Sequence, residues 1–369
     1  MNKTEKKKKN NSKLGFLEIS IIIISLIILI FSFFAPSIFV KSSTNGLDFT
    51  DTGAIGDTIG GIMDPFVAIA GVLLTFLAFY IQYKANLQQK ELFRKELDSN
   101  KFENQFYEML RLHKENVNEI TLSLTSDCNI AKETFINNEQ IKGRECFKYY
   151  LEEIKIIYYV VKKKIIDKNP DELMNIAYSV FFHGIHVFVK KPTYTDEDRL
   201  FYDVLKDLEY INNGNRNSGT RGNSCNFRGY VSEKSDYSSA TVLNYDLFKG
   251  HSAQLAHYYR HLYQTVKFIT KQSCDFLSYE EKRNYLRILR SQLSNQEQAM
   301  LFYNWKSEFG KSWQNDKNKF FTDYRMIHNL YDDLIIKDFK LAEIFDIENI
   351  EYLKEKNRED DHLFEFQDW

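Results

Sequence analysis

The chain has 369 residues, 43% of them hydrophobic, with 49 basic against 51 acidic residues and a formal charge of −2. That near-neutral balance excludes bulk polyelectrolyte attraction to nucleic acid, and the length holds two membrane helices plus one sizeable soluble domain or two smaller ones. Four cysteines, Cys128, Cys146, Cys225 and Cys274, stand far apart with no Cys-x-x-Cys pair. They give neither a zinc cluster nor a disulfide framework and read as reduced thiols.

Residues 1–13 form a lysine-rich tail, with Lys3, Lys6, Lys7, Lys8, Lys9 and Lys13 against Glu5. The run from Ile19 to Val40 carries no charge, and residues 14–40 are expected to form a first transmembrane helix. A cleaved signal peptide is the rival reading. Against it, the apolar run exceeds a usual h-region, and its one small-x-small triplet, Ala35-Pro36-Ser37, has proline at the centre.

Residues 41–61 are expected as a short extracytoplasmic loop and residues 62–83 as a second span. Pro65 to Tyr83 are uncharged, 19 residues in all. As a helix they would reach about 28 Å, roughly the hydrocarbon thickness of a bilayer. Lys84, Lys90, Arg94, Lys95 and Lys101 follow this span, whereas Lys41 is the single basic residue between the two spans. The positive-inside rule then puts both termini in the cytoplasm, with the chain as a multi-pass protein of the cytoplasmic (inner) membrane and the lipid bilayer as its first partner.

The start of the second span has two readings. Gly56 and Gly60 have small-xxx-small spacing, and Gly71 and Ala78 share the face of Gly60. A span of this kind can self-associate into a homo-oligomer that gathers Asp57 and Asp64 around a polar opening. Alternatively, Asp64 is a helix N-cap and Pro65 the first helical residue.

Residues 84–125 read as a helical stalk, because Phe93, Leu97, Phe102, Phe106, Leu110, Val117 and Ile120 recur mostly at helical steps. Residues 140–346 read as a cytoplasmic helical domain. Phe147, Tyr150, Leu151, Ile154, Ile157, Tyr158, Val161 and Ile165 make its first apolar stripe, and Asn169-Pro170-Asp171-Glu172 stops that helix and starts another. His183 and His186, three apart in apolar company, read as buried histidines more readily than as metal ligands. Leu200 to Ile211 give a short helix. The region 212–240, rich in Asn, Gly and Ser around Arg216, Arg221 and Arg228, reads as a flexible loop without a Walker A or Gly-x-Gly-x-x-Gly pattern.

His251 to Gln272 reads as a helix with Leu255, Tyr259, Leu262, Val266 and Ile269 on one face. The opposite face gathers His257, Arg260, His261, Gln264, Lys267 and Lys271, a solvated or RNA-facing basic surface. The His257-x-x-x-His261 pair lacks the glutamate of the zincins and a visible third ligand, so no metal is expected. Ser278-Tyr279-Glu280-Glu281 and Ser294-Asn295-Gln296-Glu297 are capping boxes that start helices over Tyr279–Leu293 and Asn295–Lys306. Arg283, Arg287 and Arg290 fall on one stripe, placed either to bind an anion or partner or to pair with acids on a neighbouring helix. Tyr324 to Leu334 gives one more amphipathic helix, and residues 347–369 an acidic C-terminal tail. No stretch alternates as a strand, so the expected fold class is all-α: two N-terminal transmembrane helices followed by a cytoplasmic helical domain.

No nucleophile elbow, zincin or kinase signature is present, and no cofactor is expected. None of the 13 arginines has a histidine at the Arg-x(4–6)-His spacing of helical ribonucleases.

Five blocks in order resemble the AbiC-like family of phage abortive infection proteins, which have two membrane spans. They are Gly56-Asp57-Thr58-Ile59-Gly60-Gly61, Phe102-Glu103-Asn104-Gln105-Phe106-Tyr107-Glu108-Met109-Leu110, Tyr258-Tyr259-Arg260-His261-Leu262-Tyr263, Leu289-Arg290-Ser291-Gln292-Leu293-Ser294 and Leu301-Phe302-Tyr303-Asn304. The resemblance implies anti-phage defence in which the host's growth or viability is sacrificed. Related two-span effectors accompany retrons, which implies a reverse transcriptase with its noncoding RNA, or another defence protein, as a partner. No catalytic residues come with the resemblance.

Three functions follow as expectations. The first is a membrane-acting effector whose helical domain senses infection and whose spans then assemble into a leak. The second is a membrane-tethered RNA-binding or RNase toxin using His257, Arg260, His261 and the arginine stripe. The third is a membrane-anchored interaction scaffold.

Overall fold

The computed structural model describes residues 15–40, 52–123, 140–188, 196–217, 243, 245–347 and 362–368. The expected tail 1–13, most of the loop 212–240 and residues 348–361 lie outside them. The chain divides into two compact units, Met1–Phe102 and Glu103–Trp369.

The first unit contains helix α1 (Phe16–Val40) and the first part of helix α2 (Thr52–Glu119). Both are long and apolar enough to cross a membrane. Within this unit they run antiparallel: Glu18 pairs with Lys84, Phe31 packs on Phe66 and Ser32 Oγ donates to Met63 O. The seam follows a seven-residue repeat, with Glu18, Ser25 and Ser32 buried on α1 and Ala70 and Leu77 on α2. Leu26, Ile27, Phe33, Phe34, Val72, Phe76 and Phe79 point outward and are exposed. Small and polar residues at the seam with large apolar ones outside invert the soluble-protein pattern and suit a hydrocarbon solvent.

Two expectations change here. The second helix begins at Thr52 instead of after a loop ending at residue 61, and Pro65 lies inside it. Asp64 is therefore not an N-cap. Pro65 removes one backbone donor, and the residue one turn earlier, whose carbonyl its ring crowds, is Gly61. Contacts with α1 on both sides of the proline, through Met63 and Phe66, keep the turn helical.

In the second unit, strands β1 (Thr121–Ser123) and β2 (Gln140–Lys142) pair antiparallel, a short hairpin that the sequence pattern did not announce. Helices α3 (Glu145–Lys164), α4 (Pro170–His183), α5 (Ile185–Phe188), α6 (Asp196–Asn217), α7 (Ser252–Thr270), α8 (Tyr279–Arg290) and α9 (Asn295–Lys306) follow. The fold is all-α in class. Helix α3 sits at the centre, against α4, α6 and α9. Its stripe from Phe147 to Val161 is buried as the spacing requires. Asn169, Ser278 and Ser294 each complete a capping box, with Glu172, Glu281 and Glu297, so all three helix starts read from sequence are formed.

The expected helix over Tyr324–Leu334 does not form. The segment turns repeatedly, ends in a 3-10 turn at Asp332–Leu334, and places Arg325 at a φ of 58°. Its apolar residues Ile327 and Leu330 are still buried. Burial was correctly signalled by their spacing, but buried Arg325, donating to the carbonyls of Thr322 and His362, bends the backbone away from a helix. His183 and His186, read as buried, are exposed.

Candidate functional site

Helix α7 carries the expected polar face, but the structure divides it. Leu255, Leu262, Val266 and Ile269 are buried on the opposite side. His257, Arg260, Gln264 and Lys271 reach solvent, while Lys267 lies over the Tyr263 ring. His261 turns inward. Its ring lies nearly parallel to that of His113 on α2, at 19° with centroids 6.2 Å apart. Both nitrogens of both rings are shielded from solvent and have no hydrogen-bond partner among the described residues. His113 is 1% exposed. Burial, His261 and the Arg144 guanidinium together push its pKa down to about 4, and burial lowers that of His261 as well.

His113 did not figure among the expected site residues. It lies between Phe106 and Ile120 at seven-residue spacing on the buried side of α2. A histidine within an apolar stripe was the available signal.

Beside this pair, Tyr258 packs 5.5 Å from the His113 ring and donates its hydroxyl to Glu297 Oε1 at 3.2 Å. Glu297 is 0% exposed, and burial raises its pKa. The same carboxylate accepts from Ser294 N at 2.7 Å as part of the α9 capping box and lies 3.5 Å from Arg144 Nε. One residue thus caps α9 and also links it to Tyr258 on α7 and to Arg144 just before α3.

A second buried carboxylate fixes where α7 begins. Glu153 on α3 accepts from Phe248 N at 2.9 Å, from His251 Nε2 at 3.0 Å and from the Tyr245 hydroxyl. Burial and Glu153 hold the Tyr245 hydroxyl well above its usual pKa, so it remains a donor. Gln254, one turn into α7, accepts from Tyr150 and bonds to both backbone groups of Thr121. The chain reaches this point through two backbone crossings, Ile185 N to Phe248 O and His251 N to Phe182 O.

The arginine stripe serves the irregular segment that follows α9. Arg283 Nη1 donates to Asp323 O at 3.1 Å and Arg290 Nη1 to Arg325 O at 3.0 Å. Arg287 is exposed and reaches Asn284 Oδ1. Arg283 and Arg290 thus brace two carbonyls of one segment, two residues apart, while Arg287 faces solvent. A cavity of about 540 Å³ lies between α3 and residues 332–340, with Lys155, Tyr159, Asp332 and Lys340 in its wall. Burial lowers the pKa of Lys155 there.

In the first unit, Gly56, Asp57, Asp64 and Gly71 are exposed on α2 and Gly60 is half-buried. A methyl group added at Gly56, Gly60 or Gly71 would meet nothing within 4 Å. The α1–α2 seam does not use these glycines.

The matched region of the chain is the part just described around α7. Residues 250–334 match the family model described as "putative phage abortive infection protein", which covers α7, α8, α9 and the arginine-braced segment. No curated protein and no solved structure matches the chain. Over residues 250–334, under a quarter of its length, the chain is thus similar to this family of putative phage abortive infection proteins.

Proposed function

We propose that the chain is a membrane-anchored effector of abortive infection, whose helical unit responds to infection and whose α1–α2 hairpin then impairs the cytoplasmic membrane. The observation that carries this reading is the inverted polarity of the hairpin, with Glu18, Ser25 and Ser32 inside and large apolar side chains such as Ile27, Phe33, Val72 and Phe79 outside. The basic residues before α1 and after Tyr83 support an orientation with both ends of the hairpin on the cytoplasmic side. The glycine-bearing face of α2, with Asp57 and Asp64, is free of α1 and is the surface through which copies would assemble. A second copy covering Asp64 removes the cost of a carboxylate facing hydrocarbon. Even a weak ion leak collapses a membrane potential, so few assemblies suffice.

A potential-sensitive dye in infected cells expressing the protein tests this. Depolarisation before lysis is expected, and weaker depolarisation with Gly60→Leu. An undiminished potential in cells that arrest removes the reading. The exposed trio His257, Arg260 and Gln264 favours the second reading, an RNA-binding toxin. Intact cellular RNA in arrested cells removes that one.

A further inference from the structure

We infer that residues 362–368 are a detachable latch: their Leu363-Phe364-Glu365 stretch fills a peptide-binding groove over Arg325–Asn329 and so holds the helical unit at rest. What the latch controls rests on the effector reading above, whereas the groove does not.

The contacts are the first reason. Glu365 N donates to His328 O at 2.8 Å, His328 Nδ1 to Leu363 O at 3.0 Å and Arg325 Nε to His362 O at 3.2 Å. Asn329 Nδ2 adds a bond to Glu365 Oε2 at 2.6 Å. Leu363 and Phe364 are buried, and the Phe364 ring meets the edge of Phe345 at 5.5 Å. Phe345 in turn stacks on Trp305 of α9. Main-chain bonds with side-chain pockets between them are how a protein surface holds a short peptide.

The place is the second reason. The floor of the groove lies within the region that matches the family model, and Arg283 and Arg290 of α8 brace it through Asp323 O and Arg325 O. Gln298 of α9 exchanges two hydrogen bonds with Asn329. Arg325 is fully buried at a φ of 58°. A non-glycine residue in this region persists only where its surroundings over-determine it, and such residues cluster at switches. The tail supplies part of that constraint through His362 O. Reach is the third reason. Residues 348–361 join the latch to the body, and 14 residues extend to about 45–50 Å, so the latch can leave and stay tethered.

The full chain purified in detergent tests this with Phe364→Asp, which puts a charge into the buried site. A fluorescent peptide with the sequence of residues 361–368 is expected to bind the variant about tenfold or more tighter than wild type, whose own latch competes. Circular dichroism verifies the variant's fold. Hydrogen exchange in wild type needs no variant, and residues 362–368 are expected to open about tenfold or more often than α3. Equal peptide binding to both proteins, or opening of the tail only together with α3, overturns the inference. In uninfected cells, Phe364→Asp is expected to depolarise the membrane and wild type is not. If infected wild-type cells depolarise while uninfected Phe364→Asp cells do not, the latch is overturned and the effector reading stands. If infected wild-type cells keep their potential, the effector reading fails instead, and peptide binding and exchange decide the groove.

Discussion

Glu153 on α3 and His251 at the start of α7 are joined by a 3.0 Å hydrogen bond in a place where the carboxylate is 0% exposed. The two residues are 98 positions apart in sequence. A carboxylate withdrawn from water survives only when its oxygens are satisfied, and here Tyr245, Phe248 N and His251 do so.

Replacing Glu153 with alanine removes the acceptor of Phe248 N and His251 and leaves the Tyr245 hydroxyl only a long contact to Tyr149 O, and the expected loss is about 3–5 kcal/mol, the range for breaking a buried charged network. Glu153→Gln keeps one acceptor oxygen and should lose less. Chemical denaturation of the detergent-solubilised protein, followed by tryptophan fluorescence, measures both.

Gly184 and Gly250 lie where the end of α4 crosses the start of α7. Their φ values are 84° and 90°, and a methyl group added at Gly184 would sit 2.3 Å from Lys249 O. Alanine at either site meets backbone that cannot step aside, besides the strain of a left-handed conformation. Each substitution should destabilise the protein by about 2 kcal/mol or more and lower its melting temperature. Alanine at Gly56 or Gly71, where nothing lies within 4 Å, should not.

The His113 pKa of about 4 makes stability depend on pH. The unfolded imidazole titrates near 6.5, so between about pH 6.5 and 4 the unfolded chain binds more protons than the folded one. Stability is therefore full above pH 6.5 and falls as pH drops through this window, by up to about 1.4 kcal/mol per unit for this residue. His261, lowered in the same direction, adds to the slope. Unfolding midpoints measured across this range should decline less steeply in His113→Gln.

The two described cysteines differ in reactivity. Cys274 is exposed, whereas Cys146 is buried near Ile120 O and Ile141 O with its thiol pushed up to about 12. With Cys128 and Cys225 replaced by serine, a membrane-impermeant maleimide should leave intact cells unlabelled and label one thiol, Cys274, after permeabilisation. Cys146 should react only once the protein is unfolded. Labelling of Cys274 from outside reverses the proposed topology.

How far the molecule could be read in advance depended on the range of the interactions. Local signals sufficed for the two long apolar helices, the α3 stripe, the proline-led start of α4 and the two capping boxes at Ser278 and Ser294, because periodicity and side chain-to-backbone caps operate within a turn or two of helix. The same signals overreached at Asp64-Pro65, where packing on α1 overrides a helix breaker. They overreached again at Tyr324–Leu334, where burial is satisfied without helical backbone. The sequence by itself determined an all-α chain with an apolar N-terminal pair, since composition and repeat length are properties of the chain alone. Only the tertiary structure decided that His261 leaves its polar face to meet His113, and that Glu297 serves Tyr258 as well as its own helix start. Those partners lie tens to more than a hundred residues apart, and folding, not local pattern, brings them within reach.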